Sequence, residues 1–164
     1  MHIFLTGATG YIGKRLIPVL IKKNYKITCL IRNKEQSDYF LNLGCQVMVG
    51  DLDTGAGLDQ IPKDIDISYF LVHAMSDRNH DLVDVESKIA INFTNCLKQT
   101  TCRQIIYLSG LANHDHLSNH LKSRVNVENI LLQSAINTTV LRSSIIIGSG
   151  SASFEIVRDL VEKL

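Results

Sequence analysis

Three glycines directly after the first apolar segment constrain this chain more than any other feature. Residues 2–6 are mostly apolar and strand-like, and Gly7, Gly10 and Gly13 follow before an amphipathic stretch of helical spacing begins. This order places backbone N–H groups at a helix N-terminus, where they can face the pyrophosphate of a dinucleotide. The spacing is G-x-x-G-x-x-G, yet it serves the same needs of a tight turn and close phosphate approach. The alternative is an ordinary glycine turn, but the N-terminal position and the pattern that follows favour nucleotide binding.

Strand-like and helix-like segments alternate along the rest of the chain. The predicted strands are 2–6, 26–31, 45–49, 66–73, 104–108 and 138–141, and the predicted helices are 11–23, 33–43, 81–98, 118–135 and 154–164. Only a short helix is expected within 54–63. Because no tandem hairpin interrupts the alternation, we predict a doubly wound parallel sheet with helices on both faces, a Rossmann-type α/β domain.

The first predicted helix is amphipathic. Its apolar side comprises Ile12, Leu16, Val19, Leu20 and Ile21, and its basic side comprises Lys14, Arg15, Lys22 and Lys23. The predicted helix 118–135 carries the apolar residues Leu121, Val125, Ile130 and Leu131.

Composition and charge exclude several classes of partner. The 164 residues include 17 basic and 16 acidic side chains, and a net charge of +1 gives no electrostatic case for nucleic acid or an anionic membrane. No apolar run reaches the roughly 18–20 residues of a membrane span. Cys29, Cys45, Cys96 and Cys102 lack the spacing of a metal or redox motif, so we expect reduced thiols in a cytoplasmic protein.

The length predicts a single dinucleotide-binding domain over residues 1–164, which could form a homo-oligomer. The sequence stops inside its last predicted helix, with no glycine or proline to end that helix. We therefore expect it to be the N-terminal part of a longer protein.

The end of the second predicted strand indicates which dinucleotide binds. An acidic residue about 20 positions beyond the glycines suits the ribose 2′-hydroxyl of NAD, whereas an arginine suits the 2′-phosphate of NADP. Arg32 lies nineteen residues after Gly13, and no carboxylate comes before Glu35. We therefore favour NADP over NAD, with a solvated strand-end arginine as the alternative. Lys14 and Arg15 could add positive charge near the phosphates, but a solvent-facing role is favoured for both.

Residues 6–13, Thr-Gly-Ala-Thr-Gly-Tyr-Ile-Gly, resemble the T-G-A-T-G-x-x-G signature of the extended and atypical short-chain dehydrogenases/reductases. That superfamily includes sugar-nucleotide epimerases and non-catalytic NADP-sensing regulators. The resemblance implies that Asp51 and Leu52 lie beside the adenine, although a turn or helix-cap role for Asp51 is equally weighted. It also implies a cofactor wall after the fourth strand. The implied cofactor-binding residues are Gly7, Thr9, Gly10, Tyr11, Ile12, Gly13, Arg32, Asp51, Leu52, His73, Ala74 and Met75.

The catalytic pair of the resembled superfamily is missing. Its members use a Tyr-x-x-x-Lys pair one helical turn apart, together with a serine after the fifth strand. Ser109 fits the serine, but His120 stands in the tyrosine position and Arg124 in the lysine position. His120 could exchange protons near neutral pH, and Arg124 could hold a ribose hydroxyl but cannot act as a base. The alternative is an exposed helix face without function.

Three histidines near the same helix do not predict a metal centre. His114, His116 and His120 have no suitably placed carboxylate or thiol beyond Asp115 to complete a tetrahedral set. We therefore predict no metal ligands.

Two further segments, 117–124 and 141–154, resemble a bacterial subgroup described as NAD(P)-binding, nucleoside-diphosphate-sugar-epimerase-like proteins. Residues 148–153 form a small polar loop that could be a second anion site or an ordinary helix cap. The resemblance implies an NADP-dependent oxidoreductase or epimerase-like enzyme acting on an unknown small molecule. A non-catalytic NADP(H)-sensing module is the main alternative, and a flavin-reductase-like member rests on fold analogy alone.

Overall fold

Six parallel strands form the sheet around which the chain is arranged. The computed structural model describes residues 1–73, 82–112 and 118–163, except for the side chains of residues 152 and 153. The strands run in the order β3-β2-β1-β4-β5-β6. Their bounds are β1 (His2–Thr6), β2 (Lys26–Ile31), β3 (Gln46–Val49), β4 (Ile67–Phe70), β5 (Gln104–Gly110) and β6 (Asn137–Ser143). The α-helices are α1 (Tyr11–Lys22), α2 (Ser37–Asn42), α3 (Leu82–Leu97), α4 (Asn119–Leu132) and α5 (Ala152–Lys163).

The strand order reverses between β1 and β4, and this confirms the predicted doubly wound fold. β1 pairs with β2 on one side and with β4 on the other, and Thr6 lies opposite Phe70 at the carboxyl end. In such sheets ligands bind in the crevice outside the carboxyl ends, where the order reverses. The glycine loop follows β1 directly, so it lies at this crevice.

Side chains of the central strands alternate between two hydrophobic clusters. Ile3 and Leu5 pack with Ile17 and Phe40 of α1 and α2, whereas Phe4 packs with Phe93 of α3 and its neighbours. Successive side chains of a strand point to opposite faces, so the two clusters are the two covered faces of the sheet. The predicted helices on both faces are therefore present.

Several element boundaries differ from the predicted ones. The predicted helix 33–43 begins as a 3-10 turn over Lys34–Gln36, because the Asn33 side chain accepts a hydrogen bond from the Glu35 N–H. The fourth strand is shorter than predicted, whereas β5 and β6 extend further and pair as far as Gly110 and Ser143. The poorly patterned stretch after β3 contains a single 3-10 turn, Leu58–Gln60, within 54–63.

The apolar residues predicted for α1 and α4 are confirmed in part, since Leu20 and Leu131 are buried. In α1, Ile17 is buried and Val19 is exposed, because the helix packs on a face rotated from the predicted one. In α4 the buried face is largely polar and lies against α3, so hydrophobic spacing could not identify it. Its buried residues are Ser123, Arg124, Val127, Glu128 and Leu131, and Val125 is only half-buried.

An apolar surface remains exposed along β6 and α5. The exposed side chains there are Leu141, Ile145, Ile147, Ile156, Val157, Leu160 and Val161. β6 is an edge strand of the described sheet, with neighbours on its β5 side only. Among the described helices, none combines the length and apolar character needed to cross a membrane.

Candidate functional site

The glycine loop approaches the end of β4 so closely that only glycine fits at its first position. Gly7 has φ +72°, and a Cβ added there would lie 2.6 Å from the Leu71 carbonyl oxygen. The Gly10 N–H donates to the Gly7 carbonyl at 3.0 Å and closes the turn. Positive φ and close backbone approach are the two conditions that require a residue without a side chain.

The start of α1 packs closely against the same loop. A Cβ on Gly13 would lie 2.4 Å from the Gly7 carbonyl oxygen and 2.8 Å from the Ala8 Cα. Gly10 occupies the N-cap position without a side-chain cap, and no acidic residue lies in the first turn of α1. The first N–H groups of a helix lack intrahelical partners and attract anions. This loop therefore fits the diphosphate of a dinucleotide.

The β6–α5 loop, residues 144–151, lies against the first turn of α1. The Arg15 guanidinium lies 3.7 Å from the Tyr11 ring centroid, and its Nη2 donates to the Ser149 carbonyl at 2.6 Å. A Cβ on Gly148 would lie 2.2 Å from the Tyr11 hydroxyl oxygen. Arg15 is thus more than a solvent-facing residue. The loop over residues 148–153 lies beside the glycine loop, and its role as a second anion site stays a prediction.

At the adenosine end, Arg32 and Asp51 lie in different environments. Arg32 is exposed at the bend after β2 and forms no ion pair with another described residue. Asp51 Oδ1 accepts from the Asp53 N–H at 2.8 Å, so the turn role weighed from sequence is present. The Leu52 side chain is 4% exposed and packs in the core, while Asn92 Nδ2 donates to the Leu52 carbonyl at 2.7 Å. The adenine contacts of Asp51 and Leu52 stay predictions.

Ser109 and Arg124 come together at the carboxyl end of β5. The Arg124 side chain passes over Gly110, since a Cβ there would lie 3.9 Å from the Arg124 Cγ. Ser109 is 3% exposed and Arg124 is 8% exposed. Neither Ser109 Oγ nor Arg124 Nε has a hydrogen bond of normal geometry to a described residue. The exposed-face alternative is therefore wrong for Arg124, which packing between α4 and the strand ends buries.

His73 completes this cluster from the end of β4. Its imidazole contacts the Arg124 Nη1. Although part of the residue stays exposed, desolvation lowers the pKa of His73, and the charges of Arg124 and His120 lower it further. His73 is therefore neutral at physiological pH. His120 is exposed one helical turn before Arg124 and lies near enough to affect His73. Ala74 and Met75 lie outside the described residues.

Buried polar residues behind the cluster were missed from sequence. Tyr107 is fully buried, which raises the pKa of its hydroxyl to about 12, and the Arg124 and Ser109 side chains partly counter this shift. The Ser123 hydroxyl donates to the Glu86 carboxylate between α4 and α3. Glu86 lies three residues before Ile89, on the apolar stripe of α3, and that position could have identified it as buried.

No metal centre is formed by the residues that the structure describes. Within them, no group of three His, Cys, Asp or Glu side chains is arranged to hold a metal ion. His114 and His116 lie outside those residues, so the sequence prediction for them stays as it was.

Comparison with protein families identifies the dinucleotide chemistry. A family described as NAD(P)H-binding matches residues 7–159. The chain is 24% identical over 151 residues to a ceramide reductase of Caulobacter vibrioides, covering 90% of this chain and 47% of that protein. It is 25% identical over 124 residues to the photosystem II assembly factor Ycf39 of Guillardia theta, covering 71% of this chain and 38% of that protein. The chain thus spans half or less of the length of these relatives.

Solved structures share the fold. A putative NAD-dependent epimerase/dehydratase from Bacillus halodurans superposes with a TM-score of 0.79 at 18% identity, covering 93% of this chain and 74% of that one. UDP-glucuronic acid 4-epimerase from Bacillus cereus, solved with NAD, gives 0.76 at 18% identity and covers 99% and 63%. Triphenylmethane reductase from Citrobacter, solved with NADP(H), gives 0.71 at 21% identity and covers 86% and 49%.

Proposed function

The chain belongs to the NAD(P)H-binding family, and from this premise we propose that it is an NADP-dependent oxidoreductase or sugar-nucleotide-epimerase-like enzyme. The observation that carries the proposal is that two buried polar atoms at the carboxyl edge of the sheet, Ser109 Oγ and Arg124 Nε, have no hydrogen bond of normal geometry to a described residue. Buried polar groups normally have partners, and a catalytic or binding role is one explanation of an exception. A substrate in the same crevice as the dinucleotide would supply these partners.

The glycine loop and Arg32 hold the two charged parts of the dinucleotide in this proposal. Peptide N–H groups at the start of α1 bind the diphosphate. This end of the helix is the positive end of its dipole, and no side chain caps it. Arg32 is exposed at the tip of β2, where a guanidinium can form a bidentate contact with a 2′-phosphate. Bound NADP(H) would supply hydride transfer at its nicotinamide.

Ser109 and His120 have different roles. Ser109 lies near the carboxyl end of β5 and orients a carbonyl or hydroxyl oxygen of the substrate through its Oγ, which has no partner of normal geometry among the described residues. His120 is exposed on the first turn of α4, so it can exchange a proton with both substrate and solvent. Arg124 serves as a binding group, because a guanidinium does not give up its proton under physiological conditions.

The second candidate is a module that senses NADP(H) and passes this information to a partner without turnover. Its support is the absence of any tyrosine after Tyr107, so the superfamily's Tyr-x-x-x-Lys pair cannot form. One relative is also named as an assembly factor. Ser109 Oγ and Arg124 Nε, which lack partners among the described residues, favour the enzyme, since a pure sensor has no need of a polar substrate site.

Three measurements separate the candidates. Calorimetric titration with NADPH and NADH tests binding, and loss of NADPH absorbance against a panel of ketones, aldehydes and 2-oxo acids tests turnover. UDP-sugars are tested separately for epimerisation by chromatography. The enzyme proposal expects NADPH binding and turnover of at least one panel member that His120→Ala abolishes. NADPH binding with no turnover of any panel member would favour the sensor, and absence of NADPH binding would reject both.

A further inference from the structure

Arg124 is a buried cation without an anionic partner among the described residues. Its side chain is 8% exposed, and no carboxylate of those residues lies within ion-pair distance of it. Glu86 is near enough for its charge to act on Arg124, but the Glu86 carboxylate is engaged by the Ser123 hydroxyl. A buried charge is normally paired, because removing it from water is costly. Arg124 therefore has no direct carboxylate contact among the described residues, although the charge of Glu86 acts favourably on it from a distance.

The unpaired atom defines which edge of the guanidinium is available. Nη1 contacts His73, whereas Nε is buried and without a hydrogen bond to a described residue. The Nε–Nη2 edge presents two parallel N–H donors, a geometry that matches the two oxygens of a carboxylate. His73 cannot provide the missing negative charge, since an imidazole is either neutral or positive.

Ser109 provides a second polar group near Arg124, because both side chains act on the buried Tyr107 hydroxyl. The Ser109 Oγ has no hydrogen bond of normal geometry to a described residue. A hydroxyl can donate to a carbonyl oxygen or accept from a hydroxyl group. A ligand that bears a carboxylate beside a carbonyl or hydroxyl would satisfy both side chains at once.

Resting on the proposed function, we propose that Arg124 binds the carboxylate of the substrate, which belongs to the class of short 2-oxo or 2-hydroxy acids. Ser109 contacts the neighbouring oxygen, and the Nε–Nη2 edge of Arg124 forms a bidentate pair with the carboxylate. A ribose hydroxyl, which sequence analysis assigned to Arg124, is neutral, so it would leave the guanidinium without a direct anionic contact among the described residues.

The probe is oxamate, a planar carboxylate with a neighbouring carbonyl, compared with its neutral analogue oxamide. Calorimetric titration of the full chain is run with and without saturating NADPH. We expect oxamate to bind at least about tenfold more tightly than oxamide, in line with a charge-assisted bidentate pair. Equal affinities for the two probes, or no oxamate binding in either condition, would overturn the proposal.

Two variants assign the effect to Arg124. In Arg124→Met, oxamate affinity should fall by about tenfold or more, while NADPH affinity stays within about threefold of the starting protein. Arg124→Lys keeps the charge but loses the fork, so it should recover oxamate binding only in part. Lys122→Met, an exposed cation on the same helix, is the matched control and should change neither affinity.

The variants also separate this proposal from the ribose assignment and from the proposed function. If Arg124→Met weakens NADPH but leaves oxamate binding intact, Arg124 holds the ribose and the carboxylate proposal is rejected. If NADPH does not bind at all, the proposed function fails, and the oxamate titration without NADPH still decides the role of Arg124. Circular dichroism melting confirms that each variant is folded.

Discussion

Arg15 and Ser149 join the first helix to the β6–α5 loop across 134 positions of sequence, through a 2.6 Å hydrogen bond from the Arg15 Nη2 to the Ser149 carbonyl. The contact lies one helical turn beyond Tyr11, whose ring supports the guanidinium. It holds the loop of residues 144–151 beside the glycine loop, at the edge of the sheet where ligands bind in this fold.

Replacing Arg15 should loosen that loop without unfolding the domain. In Arg15→Met we expect faster amide hydrogen exchange at residues 145–151 by about fivefold, because one exposed charged hydrogen bond of about 1 kcal/mol is lost. Lys14→Met is the matched control, since Lys14 is an exposed neighbour without a hydrogen bond to that loop. Unchanged exchange in Arg15→Met would show that the contact does not hold the loop.

Replacing Gly13 should block the diphosphate site. In Gly13→Ala the new Cβ would clash with the Gly7 carbonyl oxygen, so the loop must shift and NADPH affinity should fall by about tenfold or more. The control is Gly44→Asn, at another positive-φ glycine where a Cβ meets no atom within 4 Å. Asparagine tolerates this conformation, so NADPH affinity should be unchanged. Calorimetry measures the NADPH affinity of both variants. An equal loss of affinity in the two would contradict the assignment of the diphosphate site to the glycine loop.

Arg32 should decide the preference for NADP. Arg32→Ser should weaken NADPH by about tenfold and leave NADH affinity nearly unchanged, because only NADPH has the 2′-phosphate. Lys23→Ser removes an exposed cation at the C-terminal end of α1, away from the glycine loop, and serves as the control for net charge. Competition titrations with the two nucleotides give the ratio. If both nucleotides weaken equally, Arg32 is a solvated strand-end residue and NADP selectivity has another source.

His120 should affect turnover and leave binding intact. In His120→Ala, loss of the proton-exchanging group should lower kcat by about 100-fold or more, while NADPH affinity stays the same. Asn119→Ala, at the neighbouring exposed position of α4, controls for helix perturbation. Steady-state kinetics with the substrate found in the panel, together with calorimetry, give both quantities. Full activity in His120→Ala would remove His120 as the acid or base.

The exposed apolar surface of α5 should contribute little to the stability of the isolated domain. Val161 is 76% exposed, so Val161→Ser should change the free energy of unfolding by less than about 0.5 kcal/mol. Phe93→Ala, in the core between α3 and the sheet, should cost about 3–5 kcal/mol. Denaturant unfolding measures both changes. A large loss in Val161→Ser would show that this face is covered in solution, for example in a homo-oligomer.

The overall architecture could be predicted because its signals are local. The glycine spacing after β1 is a short-range requirement of backbone geometry, and the alternation of strands and helices predicted the parallel sheet that the structure confirms. Element ends were less accurate. β5 and β6 support each other as far as Gly110 and Ser143, and such pairing is a long-range effect that propensity does not contain.

The candidate site could be predicted only in part. Ser109 and Arg124 were identified from their positions in a resembled motif, and the structure places them together. The burial of Arg124 was not predictable, because a charged residue on a polar helix is expected to face solvent unless its packing is known. Ser123 was missed for the same reason, whereas Glu86 could have been identified from its position on the apolar stripe of α3.

The amino-acid sequence alone determined the fold class, the family and the position of the nucleotide loop, since these depend on backbone conformation and on periodic patterns within a few residues. Only the tertiary structure decided that Arg124 is buried with an unpaired Nε, and that Arg15 reaches Ser149. The burial of a side chain and its hydrogen-bond partners depend on which segments, far apart in sequence, pack together. A local sequence pattern contains no information about that packing.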